Sequence, residues 1–456
     1  MVIGGLLLVT GAPDAVLPRC RAGASTAEAG AAVDALTGRG LRVLAVAARR
    51  VDDVGNDAAT PDADRLERDL DLLGLLGFED PPRDGAAAAV DACHGAGVRV
   101  AMLTGDHPAT ALAVAREVGL VGEDTLVLTG ADLPDDDASL GALLDRDEVV
   151  VARVEPEDKL RTARALRLRG HLVAMTGDGV NDGPALQEAD IGVAMGRSGT
   201  DVAREAADLV LLDDNFATIV AAIEQGRATY ANVRRFLRYH LTDNVAELTP
   251  FVVWGLSGGT IPLALGVLQV LCLDIGTDLL PALALGAEPP AAGVLERPPP
   301  RRHLLDRPVL GRVFGVLGPV EAVMEMAAFF ATFVAAGWLP GSPFPGGATA
   351  LAASGAAFTA VVVGQMANAF ACRSTVRPVW RQALLANRLL LVGVATSFLA
   401  LVAFLLVPAL ADLLEQAAPT AAGLLTALLA APAVLAADGI HKAWIARRGQ
   451  GATGKP

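Results

Sequence analysis

The apolar residues of this chain fall into two regimes. Up to about Tyr239 they form short, often β-branched runs separated by Ala-rich stretches of helical spacing and by polar turns. Beyond it they form runs long enough to cross a bilayer. The first regime predicts strands at residues 1–9, 41–47 and 70–78, with a helical stretch after the first and a polar, Asp-rich loop at about 52–64. Asp80, Pro81, Pro82 and Arg83 then interrupt the pattern as a linker between domains would. From 84 to about 235, strands are expected at 98–103, 149–152, 172–175, 191–194 and 209–212, alternating with helices. That alternation predicts right-handed βαβ units, a Rossmann-type parallel sheet, and ligands at the carboxyl ends of its strands. The second regime predicts six transmembrane helices, at roughly 240–258, 262–286, 309–337, 349–371, 388–411 and 420–440, each near the ~20 residues a bilayer requires. The expected architecture is an α/β domain followed by an all-α membrane domain, with divisions at 1–79, 80–236, 237–445 and a tail at 446–456.

Composition sharpens this picture. A hydrophobic share of 53% and a mean hydropathy of +0.45 are too high for an ordinary soluble enzyme. The net charge of −14 is uneven: residues 251–456 hold 10 acidic and 13 basic side chains, against 41 and 24 before them. An acidic chain whose only lysines are Lys159, Lys442 and Lys455 is not expected to bind nucleic acid. Four scattered cysteines, with no C-x-x-C, indicate neither a disulfide framework nor a cysteine zinc site. Residues 1–9 lack the basic start and cleavage site of a signal peptide and read as folded chain. Arginines at 297, 301, 302 and 307, arginines at 373, 377, 381 and 388, and Lys442, Arg447 and Arg448 alternate with uncharged or acidic turns. The positive-inside rule therefore predicts that the soluble part, both Arg loops and the C-terminus are cytoplasmic.

Two predicted strand ends share a chemistry. Met102-Leu103-Thr104-Gly105-Asp106 and Met175-Thr176-Gly177-Asp178-Gly179-Val180-Asn181-Asp182 each set a hydroxyl, a glycine and a carboxylate where a strand meets its helix. Such a turn offers a phosphate a donor, close backbone approach and a Mg²⁺ ligand. Asp178 and Asp182, four apart around a glycine turn, suit a hard octahedral cation. Lys159 would bring a positive charge to a transferring phosphoryl group. A lone T-G-D is more often an ordinary capped turn; the eight-residue run at 175–182 is far harder to reach by accident.

These runs, with Val151-Ala152-Arg153-Val154-Glu155-Pro156 and Leu211, Asp213, Asp214, Asn215 and Phe216, resemble the phosphorylation domain of P-type ATPases, ion pumps that form an aspartyl phosphate. Residues 10–13 and 40–44 resemble the end of that family's nucleotide-binding domain. The six spans, with Thr277 to Ala282 and the R-V-E-P run, resemble its type II branch, the calcium and sodium/potassium pumps. The resemblance implies a haloacid-dehalogenase-like (HAD-like) α/β fold and use of ATP and Mg²⁺. It implies Mg²⁺ at Asp178, phosphoryl stabilisation by Thr104, Gly105 and Lys159 beside Asp106, hydrogen bonding by Asn181 and Asp182, and ATP contact by Arg42 and Arg153. Thr10 stands where most relatives have a nucleotide-contacting Lys. No D-K-T-G-T run, whose Asp accepts the phosphate, occurs in the 456 residues. The chain thus reads as the C-terminal half of a pump, inactive alone, whose partner is an N-terminal half carrying the nucleophile. The parallel sheet is then expected to hold Asp106 and Asp178 at neighbouring strand ends around a slot, which residues 1–20 could fill.

The transport site can be read from the residues themselves. Asn244 and Glu247 are three apart on the first span; Asp274, Thr277 and Asp278 stand at i, i+3 and i+4 on the second. A charge at bilayer depth costs ~2.5–3.5 kcal/mol, so an ionisable residue there reads as functional. Oxygen ligands without Cys or His select hard cations such as Ca²⁺, Na⁺ or K⁺, and Pro281 is expected to free carbonyl oxygens as further ligands. Gln365 and Asn368 resemble family ligand positions but serve equally well as interhelical glue. Glu321 and Glu325 share a helix face, and Asp243 adjoins Asn244. The leading reading is therefore an ATP-driven cation pump at the plasma membrane, in contact with lipid. The alternative is a non-catalytic membrane remnant or partner subunit that docks with a separate N-terminal half. A membrane-tethered phosphatase is disfavoured, since it would need its own nucleophilic Asp.

Overall fold

The structure, a computed structural model, describes residues 2–452 except 4–5, 51–66, 80, 123–124, 297 and 299–302. The expected Asp-rich loop at 52–64 and Arg297, Arg301 and Arg302 lie outside the described residues. The chain divides into two compact units, Met1–Glu224 with Leu295–Pro299, and Gln225–Val294 with Pro300–Pro456.

The first unit opens with an antiparallel sheet in the order β1 (Val2–Ile3), β2 (Leu6–Gly11), β3 (Arg42–Arg50) and β4 (Asp71–Phe78). Strand β3 runs three residues beyond the predicted end because Ala48, Arg49 and Arg50 find partners in Leu8, Leu7 and Leu6. Leu7, Ala45, Ala47 and Leu70 close its core. Val2–Ile3 and Leu6–Gly11 are thus committed to this sheet and do not complete the parallel one.

Parallel strands follow, in two three-stranded sheets rather than the single expected one. One has the order β5 (Ala101–Leu103), β7 (Val149–Ala152), β6 (Leu126–Thr129); the other has β10 (Leu209–Leu211), β9 (Ile191–Met195), β8 (Ala174–Gly177). Four residues long and followed at once by the Thr129/Asp132 cap, β6 gives no periodic signal and escapes sequence reading. Strand β8 starts later than expected because Leu172 points outward, 91% exposed. The central β7 is wholly buried, whereas β5 and β8 are partly exposed. The two strands that lead into the T-G-D loops are therefore terminal strands, each paired on one side only.

In the second unit, five helices among the described residues are long and apolar enough to cross a membrane: Val267–Gly286, Arg307–Ala335, Ala348–Cys372, Arg388–Leu406 and Ala421–Arg447. The sixth expected span, 240–258, is the end of a 40-residue helix, Ala217–Leu256. Asp243, Asn244 and Glu247 keep it from qualifying on apolarity. The span at 388–411 ends sooner than expected, before Pro408, which starts a separate short helix. A π-helical segment, Leu273–Asp278, lies inside Val267–Gly286. The centre of this unit is Ala348–Cys372, whose apolar stretch is 83% buried among its neighbours. Phe329, Phe333 and Leu273 pack around it in one cluster with its own Phe358. Exposed Leu389, Val392, Leu399 and Leu406 leave an apolar surface suited to lipid. Two of the expected cytoplasmic charges are not surface charges: Lys442 is buried against Asp438, which Arg312 also engages, and Arg373 is buried against Glu288.

Gly355 makes this packing testable, since a Cβ there would stand 2.0 Å from the Ala417 carbonyl oxygen, whereas one at Gly346 would meet nothing within 4 Å. Gly355→Val is expected to destabilise the unit by about 1–3 kcal/mol, read as a lower melting temperature of the detergent-solubilised chain. Gly346→Ala should melt with the parent.

Candidate functional site

The T-G-D loop after β5 is tied to the end of β7. The Thr104 amide donates to the Val151 carbonyl (2.9 Å), and the Val154 and Arg153 amides donate to the carbonyls of Thr104 and Asp106 (3.1 Å each). Within the loop the Asp106 amide donates to Thr104 Oγ1, and that hydroxyl donates to Asp106 Oδ2, both at 3.1 Å. Gly105 is exposed at the tip. The loop therefore presents its backbone outward while its two polar side chains satisfy each other.

The turn after β8 is built around a buried carboxylate. Asp182 is 7% exposed and accepts from the amides of Gly179 (3.0 Å) and Asp178 (3.2 Å) through Oδ2, and from Lys159 Nζ (2.7 Å) through Oδ1. Burial alone would raise its pKa, but the Lys159 ammonium and those amides outweigh it and hold the carboxyl below its usual range. Gly177 is required here because a Cβ would stand 2.4 Å from Asp182 Cβ. Asp178 and Asn181 are exposed at the mouth of the turn. Asp182 is thus engaged by Lys159 and the turn, while Asp178 faces outward. One exposed carboxylate fits a Mg²⁺ that keeps most of its water and phosphate ligands.

The two expected ATP contacts lie apart. Arg153, at a positive φ of 49°, forms an ion pair with Asp14 and lines an open cleft of about 620 Å³ with His107, Thr129, Gly130 and Asp158. Arg42 opens β3 opposite Phe78 and is not among the residues lining that cleft.

In the second unit, the helices Ala217–Leu256 and Val267–Gly286 bring two of the predicted carboxylates together with one residue the sequence reading left out. His240 Nδ1 stands 2.8 Å from Asp278 Oδ2, and one ligand atom from each of His240, Asp274 and Asp278 lies within 4.8 Å of the others. Glu247 (2% exposed) accepts from Gln365 Nε2 at 3.1 Å, and Gln365 Oε1 accepts from the Thr277 hydroxyl at 3.0 Å. Asn244 turns its amide to the His240 carbonyl of its own helix (2.9 Å). The carbonyl that Pro281 leaves without a helical donor, Thr277 O, accepts instead from the Ser397 hydroxyl, so it is not the free ligand expected. Asn368 donates to Asp243 Oδ1 at 2.9 Å.

Three further carboxyl groups, on Asp243, Glu321 and Glu325, are buried in the same unit. Glu321 (3% exposed) and Glu325 (0%) are buried on Arg307–Ala335, and neither has a hydrogen-bonded oxygen; Asp243 Oδ2 is also without a partner. Glu321 rests over Gly364, where a Cβ would come 3.3 Å from its Cγ. A signal for His240 existed: with Asn244 and Glu247 it stands at i, i+4 and i+7, one helix face.

The comparisons agree with this division. Residues 262–444 match the family model for the C-terminus of cation transporting ATPases, and residues 21–190 match that of the haloacid dehalogenase-like hydrolases. A probable cation-transporting ATPase F of Mycobacterium tuberculosis is 42% identical over 83% of this chain and 41% of its own length. A calcium-transporting ATPase of Bacillus subtilis is 41% identical over 65% of the chain and 34% of itself. The human sodium/potassium-transporting ATPase subunit alpha-4 is 40% identical over 58% and 28%. The chain therefore spans well under half the length of the curated relatives it matches. With HAD-like and cation-ATPase segments in that order and buried carboxylates among its apolar helices, the chain has cation-transporting ATPases as its homologues over much of its length.

Proposed function

We propose that this chain forms the phosphoryl-handling and ion-binding parts of an ATP-driven cation pump of the type II branch. The observation that carries the reading is that Asp274 and Asp278 cluster with His240 in a unit of apolar helices, with Glu247 linked to Thr277 through Gln365. Carboxylates at bilayer depth are costly unless a cation meets them. Asn244 and Thr277 complete the set, and Ca²⁺ or Na⁺/K⁺ is the cargo that an oxygen-dominated site takes. In the first unit, Asp178 holds Mg²⁺, and Thr104, Gly105 and Asp106 receive the phosphoryl group. Lys159, with Asn181 and Asp182, steadies the turn, and Arg153 and Arg42 contact ATP. The acceptor aspartate comes from a D-K-T-G-T segment outside these residues, and the unpaired edges of β5 and β8 are where its strand docks. The spans sit in the plasma membrane with the first unit and the C-terminus in the cytoplasm. The 456 residues alone are expected to give no hydroxylamine-sensitive phosphoenzyme from labelled ATP; appearance of one would refute this division of labour.

Two substitutions test the separate halves. Because the folded pKa of Asp182 is depressed, its ion pair with Lys159 contributes stability above the unfolded value near ~4 and loses it as pH falls through the lower folded value. Asp182→Asn should therefore destabilise the first unit by about 1–3 kcal/mol at pH 7, and the difference from the parent should shrink below pH ~4, read by unfolding at several pH values. In a pump completed with the acceptor segment, Asp278→Asn should weaken apparent cation affinity at least tenfold, about 1.4 kcal/mol, with ATP binding unchanged.

A further inference from the structure

Only one of the six histidines lies among the cation-site residues, and its position changes the chemistry expected of that site. His240 sits on Ala217–Leu256, its ring stacked on Phe236 with centroids 5.7 Å apart, and its Nδ1 is 2.8 Å from Asp278 Oδ2. Asp274 brings a second carboxylate so that the three ligand atoms lie within 4.8 Å of one another. Ligand atoms each ~2.1 Å from one metal ion are separated by ~3.0–3.4 Å at octahedral or tetrahedral angles. The cluster therefore needs little movement to close on an ion. Asp278 is 1% exposed and its second oxygen, Oδ1, is buried without a hydrogen-bond partner. A buried carboxylate oxygen left unpaired is costly, and a cation held between Asp278 and its neighbours would satisfy it. Both aspartates ride on the π-helical segment Leu273–Asp278, a local widening often found where a helix carries a functional group.

We propose that His240, Asp274 and Asp278 form a nitrogen-and-oxygen site for a divalent transition-metal ion of the Co²⁺, Zn²⁺ or Fe²⁺ class. This rests on the cation-site reading above and adds a transition-metal ion to the cations that the site takes. Calcium and the alkali ions take oxygen ligands, whereas a neutral imidazole favours borderline transition ions. Glu247 is held by Gln365 and does not belong to the three-residue cluster.

Co²⁺ titration of the detergent-solubilised 456-residue chain, followed by calorimetry and by the visible ligand-field bands, tests this, with Ca²⁺ titrated in parallel. His240→Gln is expected to weaken Co²⁺ binding at least tenfold and Ca²⁺ binding less than threefold, while Asp278→Asn weakens both. X-ray absorption at the cobalt edge of the unaltered chain should show imidazole scattering, a readout independent of how any variant folds. Co²⁺ affinity unchanged in His240→Gln, or an edge spectrum without imidazole, would overturn the proposal and leave His240 as a counter-ion of Asp278; the oxygen-only site would stand if Asp278→Asn still weakened Ca²⁺. If Asp274→Asn and Asp278→Asn both left Co²⁺ and Ca²⁺ binding unaltered, the cation-site reading itself would fall.

Discussion

A carboxylate carried out of water has to be met by a positive charge or by donors, and this one constraint organises both units. In the first, Asp182 is buried only because Lys159 and two backbone amides converge on it. In the second, Asp438 lies between Arg312 and Lys442, and Glu288 is gripped by Arg373 and Asn387. These satisfied groups fix helix register. Against them stand the oxygens with no partner, on Asp243, Asp278, Glu321 and Glu325. In a membrane domain, that difference separates scaffold from candidate machinery.

The same logic applies to backbone groups in the first unit. Strand β7 spends its hydrogen bonds on both sides and is buried, while β5 and β8 spend theirs on one side. Their exposed edges belong to the two strands whose ends carry Thr104, Asp106 and Asp178. An unpaired edge is a template for another strand, so the site and the place where a strand can be added coincide. The hydroxyl and carboxylate of the first loop satisfy each other, and Gly177 yields the space that Asp182 occupies. Both loops are thereby shaped from within this chain.

Much of this was legible in the residue string. Periodicity located nine of the described β-strands or their neighbourhoods and the long apolar helices, and motif spacing marked both T-G-D turns, because these signals are local. What was not legible depends on partners distant in sequence. The division of the parallel strands into two sheets, the pairing of Asp182 with Lys159, and the capping of Thr277 O by Ser397 are contacts across 23 residues or more.

The sequence by itself determined that an acidic α/β part precedes a set of apolar helices, and that carboxylates stand where a bilayer would make them costly, since composition and period suffice for both. Only the tertiary structure decided which of those carboxylates are neutralised, which are left open, and that an imidazole stands against Asp278. Helix phase places a side chain on a face; the packing of a second helix decides what that face meets. His240 and Asp278 are 38 residues apart in the chain and 2.8 Å apart in space, and that closeness, absent from any local pattern, sets the chemistry of the site.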